Sequence, residues 1–302
     1  MIVLINYIID LKFFYWNIIF IEKTGYLVIL IRKRINFYDE FNEWYNTIIK
    51  DFNFDSQKDR FARDFLSNLI IEKKNWNIDS ILTLFQQDLS KKELILIYGC
   101  GVTLEGTLDF LLDNQVNLNK QNIFNIAADG ASRLLKEKNI EIGAIFSDLD
   151  GITRHEFIYP HYIVVHAHGD NIDKLKKFKK EILESRNIIF TCQVEPNDNI
   201  INPGGFTDGD RILFFLKSLL SASHRIFLIG MDFIDKVGKY SKIKYQKNHK
   251  ASKIKKKKLK FAANLIDWLY DYIENQIYFV NSKSPTQKYE NLNLQQFLRK
   301  LK

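Results

Sequence analysis

The spacing of apolar positions changes character once along the chain. From Asn36 to about Leu89 they recur at helical intervals. Phe41, Trp44, Tyr45, Ile48 and Ile49 form one stripe, and Phe61, Phe65, Leu69 and Ile70 a second. Asp55 and Ser56 supply a cap before the second stripe. The pattern predicts a small helical N-terminal domain over 36–90. From Glu93 onward, short β-branched runs alternate with helical stretches. Strands are expected at Leu94–Tyr98, Ile123–Ala127, Ala144–Phe146, Tyr162–Val165, Ile188–Phe190 and Arg225–Ile229, and a last one at Ile277–Val280. Helices are expected near Leu104–Leu112, Ala131–Glu137, Ile172–Glu184, Asp210–Leu220 and Ile254–Ile273. Fully apolar strands alternating with helices predict an α/β domain over 91–282, a mostly parallel sheet with helices on both faces.

Two segments flank this core. Residues 1–35 form an apolar N-terminal extension, interrupted by Asp10, Lys12, Glu22 and Lys23, so no stretch reaches the ~18–20 residues of a spanning helix. It lacks the basic start and small-residue cleavage site of a signal peptide. Three readings stand: an extra β-rich layer, a membrane-touching segment, or upstream sequence translated from a misassigned start. The first and last are favoured over membrane contact. Residues 283–302 read as a polar C-terminal tail ending in a short helix.

Composition adds little to the fold and something to the partners. The 302 residues are 46% hydrophobic and 26% charged, enough for a large core. The net charge of +8 suits an anionic partner, and much of the excess lies between Lys236 and Lys260. A local patch points to a phosphate site and not to a protein that coats nucleic acid. Cys100 and Cys192 have no metal-ligand spacing, which fits a reducing cytoplasm.

The chemistry is positional. Six apolar runs end in small or acidic residues: Gly99-Cys100-Gly101, Asp129-Gly130, Asp148-Leu149-Asp150-Gly151, His166 to Asn171, Thr191-Cys192-Gln193 and Gly230-Met231-Asp232. In a parallel sheet these ends share the edge where ligands bind. Each junction alone is explained by turns and caps; paired carboxylates are not. Gly99, Gly101 and Thr103 follow a strand and open a helix, as a phosphate loop does, though structural turn and phosphate loop weigh equally here. Asp148 and Asp150, two apart on an extended end, favour a cation, and oxygen-only ligands point to Mg²⁺. Asp170 and Asn171 are site candidates, with His168 orienting them or contacting phosphate. Gly204 and Gly205 allow close backbone approach before Asp208, Asp210 and Arg211, which read as a catalytic loop. Lys253, Lys256, Lys257 and Lys260 share one helix face; Lys253 and Lys256 are the two chosen to reach a polyphosphate.

Taken in order, Ala128-Asp129-Gly130-Ala131, Ser147–Gly151, His166–Asn171, Gly204–Arg211 and Gly230–Phe233 resemble the archaeal 6-hydroxymethyl-7,8-dihydropterin pyrophosphokinase family over about Asn42 to Ile273. The run Gly-Gly-Phe-Thr-Asp-Gly-Asp-Arg carries most of the weight. The Asp129 and Asp148–Gly151 pieces also look like the catalytic domain of thiamine pyrophosphokinases, which implies a shared fold. Val102-Thr103 and Pro203 depart from the family pattern. The resemblance implies transfer of diphosphate from ATP to a hydroxymethyl group, with Asp148 and Asp150 on Mg²⁺, joined by Asp208 or Asp210. It implies charge stabilisation by Arg211 and a lysine, and a pterin edge read by Asp170, Asn171, Thr191 and Gln193. Asp129 would bind nucleotide, or else substrate or metal. Rival readings are a thiamine-type diphosphotransferase, a glycosyltransferase related to flagellin-glycosylation proteins, and a non-catalytic nucleotide-binding or membrane-associated module. Small molecules are the expected partners, without nucleic acid; association with further copies stays open.

Overall fold

The computed structural model describes residues 31–301. The readings of the apolar extension therefore lie, for residues 1–30, outside the described residues. Residues 31–35 are helical, bury Ile31 and Ile35, and pair Arg32 with Asp79 at 3.0 Å.

Eight parallel strands form the central sheet: β1 (Leu94–Tyr98), β2 (Ile123–Ala128), β3 (Ala144–Ser147), β4 (Tyr162–Ala167), β5 (Ile188–Cys192), β6 (Arg225–Ile229), β9 (Gln276–Val280) and β10 (Glu290–Leu292). β7 (Lys236–Val237) and β8 (His249–Lys250) pair separately as a short antiparallel hairpin. The order across the sheet is β10-β9-β6-β1-β2-β3-β4-β5. Strands β1 to β5 are buried along their whole length, which is why they lack a polar alternate face. In β1, Ile95 and Ile97 enter one core while Leu94, Leu96 and Tyr98 enter the other, the two-residue period of a strand.

Three helices, α1 (Tyr38–Phe52), α2 (Ser56–Ile71) and α3 (Ile78–Ser90), form the N-terminal helical region. Their apolar faces join the same core cluster as one face of the sheet, so the core does not divide at residue 90. The opposite face is covered by α4 (Leu104–Asp113), α5 (Ala131–Glu137) and the C-terminal helix. The second predicted stripe holds at Leu69 and Ile70, which are buried, and at Phe65, which packs against the core, but not at Phe61. α2 turns Asp59, Ala62, Leu66 and Leu69 inward and leaves Phe61 57% exposed.

The predicted helix 172–184 is two helices, α6 (Ile172–Lys177) and α7 (Lys179–Glu184). The break is at Phe178, which is buried and stacks on Phe157. Helix α8 (Asp208–Leu216) starts two residues earlier than its apolar pattern, because Thr207 and Asp210 cap it. Helix α9 (Lys253–Leu269) ends in a 3₁₀ turn at Tyr270–Tyr272.

The polar tail is part of the fold. β10 pairs with β9, and α10 (Leu294–Lys300) buries Phe297 against Phe227 at a ring separation of 5.0 Å. The sequence hid this strand because only Leu292 of its three residues is buried.

Candidate active site

The chain runs outward from β1 to β5, then returns to place β6 on the other side of β1. The strand order therefore reverses between β1 and β6, and ligands in open α/β sheets bind outside the carboxyl ends at such a point. A cavity opens there. Gly99, Gly101, Asp129, Gly230, Met231 and Asp232 line its sheet side, and Lys255 and Leu259 of α9 its outer side. A second cavity lies further along the same edge, over β4 and β5. Asp148, His166, His168, Gln193 and Arg211 line it, opposite Asp59 of α2 and Lys258 of α9. The two share Thr207, Asp208 and Lys255.

Three carboxylates meet where the cavities join. Asp129, Asp148 and Asp208 each place an oxygen within 4.8 Å of the others. Asp129 lines the first cavity, Asp148 the second and Asp208 both. Asp129 sits at φ 48°, a left-handed conformation that ends β2 abruptly. Its Oδ1 accepts from Ser147 Oγ at 2.6 Å and Gly151 N at 3.0 Å, which ties the ends of β2 and β3 together. Asp148 Oδ1 accepts Asp150 N at 3.0 Å, and Oδ2 lies 3.5 Å from His168 Nε2. Asp208 Oδ1 is 3.2 Å from Arg211 of the same helix.

The electrostatics follow from burial and crowding. Burial, then Asp148, pushes the Asp129 carboxyl up to about 6. Burial, then Asp148 and Asp129, pushes Asp208 well above the carboxylate range. Burial also pushes Asp148 up, but His168, Arg211 and Lys174 outweigh it and hold this group below its usual value. Three oxygen donors that repel one another when ionised fit a hard divalent cation such as Mg²⁺ and do not fit a thiolate- or imidazole-preferring metal.

The expected residues distribute unevenly. Asp150 does not join Asp148. It pairs with Lys174 and, at 3.3 Å, with Lys242, because Leu149 at φ 71° twists the segment so that the two carboxylates do not stay on one side. Asp210 is buried as the cap of α8, accepting from Phe206 N, Thr207 N and Thr207 Oγ1, so its oxygens are spent. Gly99 N and Gly101 N donate to Ile229 O and Gly230 O, and Thr103 donates through N and Oγ1 to Asp232. The glycine loop thus lines the cavity with those N–H groups turned into the protein. Gly101 is required because a Cβ there would collide with Asp232 and Gly230.

Gly204 and Gly205 both have φ 86° and turn the chain behind the start of α8; a Cβ on Gly205 would strike Arg211. Asn171 is buried and bridges His166 O, Asp148 O and His168 N. Thr191 is buried beneath His166. His168, Asp170, Gln193, Asp208 and Arg211 do line the second cavity. Lys256 pairs with Asp235 on the exposed side, and Lys253 is exposed. Cys100 lines the first cavity with its thiol directed at Ala128 O, and burial pushes its pKa up, which disfavours the nucleophilic thiolate.

Residues 65–238 match the family model described as 6-hydroxymethylpterin diphosphokinase MptE-like. A 6-hydroxymethyl-7,8-dihydropterin pyrophosphokinase of Pyrococcus furiosus is 35% identical over 238 residues, 77% of this chain and 94% of the relative. The protein of that name from Methanocaldococcus jannaschii is 35% identical over 248 residues, 78% of this chain and 98% of its own. The one from Methanothermobacter thermautotrophicus is 34% identical over 233 residues, 75% and 92%. The chain belongs to the MptE-like family.

The segment matched to the MptE-like model holds all three clustered carboxylates, but Asp59, Lys255 and Lys258 fall outside it. Sequence reasoning passed over these three. Each had a signal. Asp59 lies on the buried stripe of α2, three and seven residues before Ala62 and Leu66. Lys255 and Lys258 continue the apolar stripe of α9 backward from Ala262 by helical steps, so they point inward, where Lys253 and Lys256 do not. Burial and the neighbouring Lys255 lower the pKa of Lys258, whose Nζ lies 5.6 Å from the Phe54 and Phe206 ring centres.

Proposed function

We propose that this chain transfers a diphosphate unit from ATP to the hydroxymethyl oxygen of 6-hydroxymethyl-7,8-dihydropterin and releases AMP. One observation carries the reading: three carboxylates stand at the junction of two cavities on the ligand edge of the sheet. A two-substrate group transfer needs that arrangement, with one reactant on each side of the group that moves. The names of the three relatives supply the reaction.

In this reading the alcohol oxygen bonds to the β-phosphorus and gives up its proton to water, the bond between that phosphorus and the bridging oxygen to the α-phosphorus breaks, and AMP leaves with the bridging oxygen. A loose transition state asks the protein for position and charge more than for a strong base. Asp129, Asp148 and Asp208 would hold Mg²⁺, which when bound neutralises polyphosphate charge. Arg211, fixed by Asp208 and Phe206 O, presents its guanidinium to the second cavity, and Lys255 reaches both. Lys174 and Lys242, gripping Asp150, add positive charge beside the cluster and hold the β3 loop in place. Two cysteines that remain free thiols suit a reducing, cytoplasmic setting. The product would enter tetrahydromethanopterin or folate-type cofactor synthesis.

The test is AMP release from Mg²⁺ and ATP, with and without the dihydropterin. Pterin-dependent AMP supports the reading. AMP formation with thiamine alone moves the chain to the thiamine-type activity, and no AMP with either alcohol refutes diphosphate transfer.

A further inference from the structure

The cavity over β4 and β5 contains a buried histidine with one nitrogen left unpartnered. His166 is 2% exposed and lines this cavity. Its Nδ1 is 3.0 Å from Thr191 Oγ1, whose hydroxyl lies 3.5 Å from Val165 O; in the tautomer protonated on Nδ1, the ring donates to the threonine oxygen and the threonine hydroxyl turns to the carbonyl. Nε2 is then a bare lone pair, and it has no partner in the structure. A buried unpaired acceptor costs free energy unless a ligand supplies its donor. Burial, Arg211 and His168 hold the His166 pKa well below its usual value and outweigh the neighbouring Gln193 amide, which raises it, so the ring is neutral and keeps one lone pair.

Beside it, Gln193 is fixed by a bond from Nε2 to Asp59 Oδ2 at 2.8 Å. Asp59 is itself buried and anchored by Tyr45 Oη at 2.8 Å and Gly169 N at 2.7 Å. The amide oxygen of Gln193 is left as the atom that Asp59 does not engage. The cavity therefore presents acceptors on rigid supports drawn from β4, β5 and α2. A 2-amino-4-oxo heterocycle carries adjacent N–H donors and matches such a wall. The first cavity, with Met231, Phe233, Val237 and Leu259, offers a more apolar slot.

We propose that the β4–β5 cavity seats the pterin ring, and that His166 Nε2 accepts one of its N–H groups as a specificity-determining contact, with Gln193, positioned by Asp59, beside it. The nucleotide then occupies the cavity at β1 and β6. The proposal rests on the diphosphotransferase reading above and adds which cavity takes which reactant.

The experiment measures KM for the dihydropterin and for ATP separately, by AMP release, in the wild type, His166→Phe and His166→Asn. His166→Phe keeps the ring shape and removes the acceptor. It is expected to raise KM for the dihydropterin about tenfold to a hundredfold and to leave KM for ATP within about twofold. His166→Asn restores an acceptor and recovers part of the loss. Gln193 is only half-buried, so Gln193→Ala folds even if substitutions of His166 do not, and it should give the same split. A rise in KM for ATP with that for the pterin unchanged overturns the assignment and leaves the diphosphotransferase reading standing. A wild type that releases no AMP with the pterin removes that reading, and this proposal with it.

Discussion

At the scale of single residues, charge crowding dominates. Asp129 is raised from 3.8 to about 6 by burial and by Asp148. A carboxyl raised in the folded state binds its proton more tightly there than in the unfolded chain. Without a cation, its contribution to stability is fully present below pH 3.8 and is lost as pH rises through about 6. In the proposed reading, a divalent cation would replace the proton above that range. Mg²⁺ at a hundredfold excess over its Kd should therefore raise Tm by about 5 °C at pH 7.5 and by much less at pH 5, read by thermal melts against EDTA. Equal shifts at both pH values would remove the cluster as the binding site. Asp148→Asn and Asp208→Asn should each lower the rate of AMP release about 10²- to 10³-fold while the protein stays folded by circular dichroism. Full activity in both variants would exclude the carboxylates from the chemistry.

At the scale of elements, caps and tight turns present the site. Helix α8 brings Asp208 and Arg211 forward, and its start is fixed by Asp210, which satisfies three donors at once. Asp210→Ala should cost about 1–3 kcal/mol by urea denaturation, since those donors lose their acceptor. A loss under about 0.5 kcal/mol would mean that the cap is dispensable. The sequence showed a Gly-Gly turn followed by two aspartates and an arginine. It did not show which aspartate faces the cavity. That depends on Thr207 adopting the N-cap position, which turns Asp210 back into the protein and leaves Asp208 at the cavity edge.

At the scale of the whole molecule, the sheet extends further than its apolar pattern. β10 covers the edge of β9, and Phe297 packs on Phe227, which stacks on Tyr278 in the other core. Removing residues 283–302 should therefore destabilise the protein by more than about 3 kcal/mol, measured by chemical denaturation, with loss of soluble yield. Unchanged stability would show the tail to be dispensable. The N-terminal helices matter on this scale too. α2 closes one wall of the second cavity with Lys58 and Asp59, so the helical region helps to form the candidate site. Among the described residues, no helix is long and apolar enough to cross a membrane.

The sequence by itself determined the architecture and the sheet edge that holds the candidate site. Uninterrupted apolar runs form strands only when both faces are covered, and polar strand ends of a parallel sheet must gather on one side. It also placed Asp129 and Asp148 on that edge, and Asp208 in the loop that follows Gly204 and Gly205. Only the tertiary structure decided which carboxylates meet. Asp150 lies two residues from Asp148 and turns to Lys174, while Asp208 lies 60 residues away and joins it. The reason is that a local backbone twist such as that at Leu149 redirects neighbours, whereas sheet order brings distant strand ends within reach.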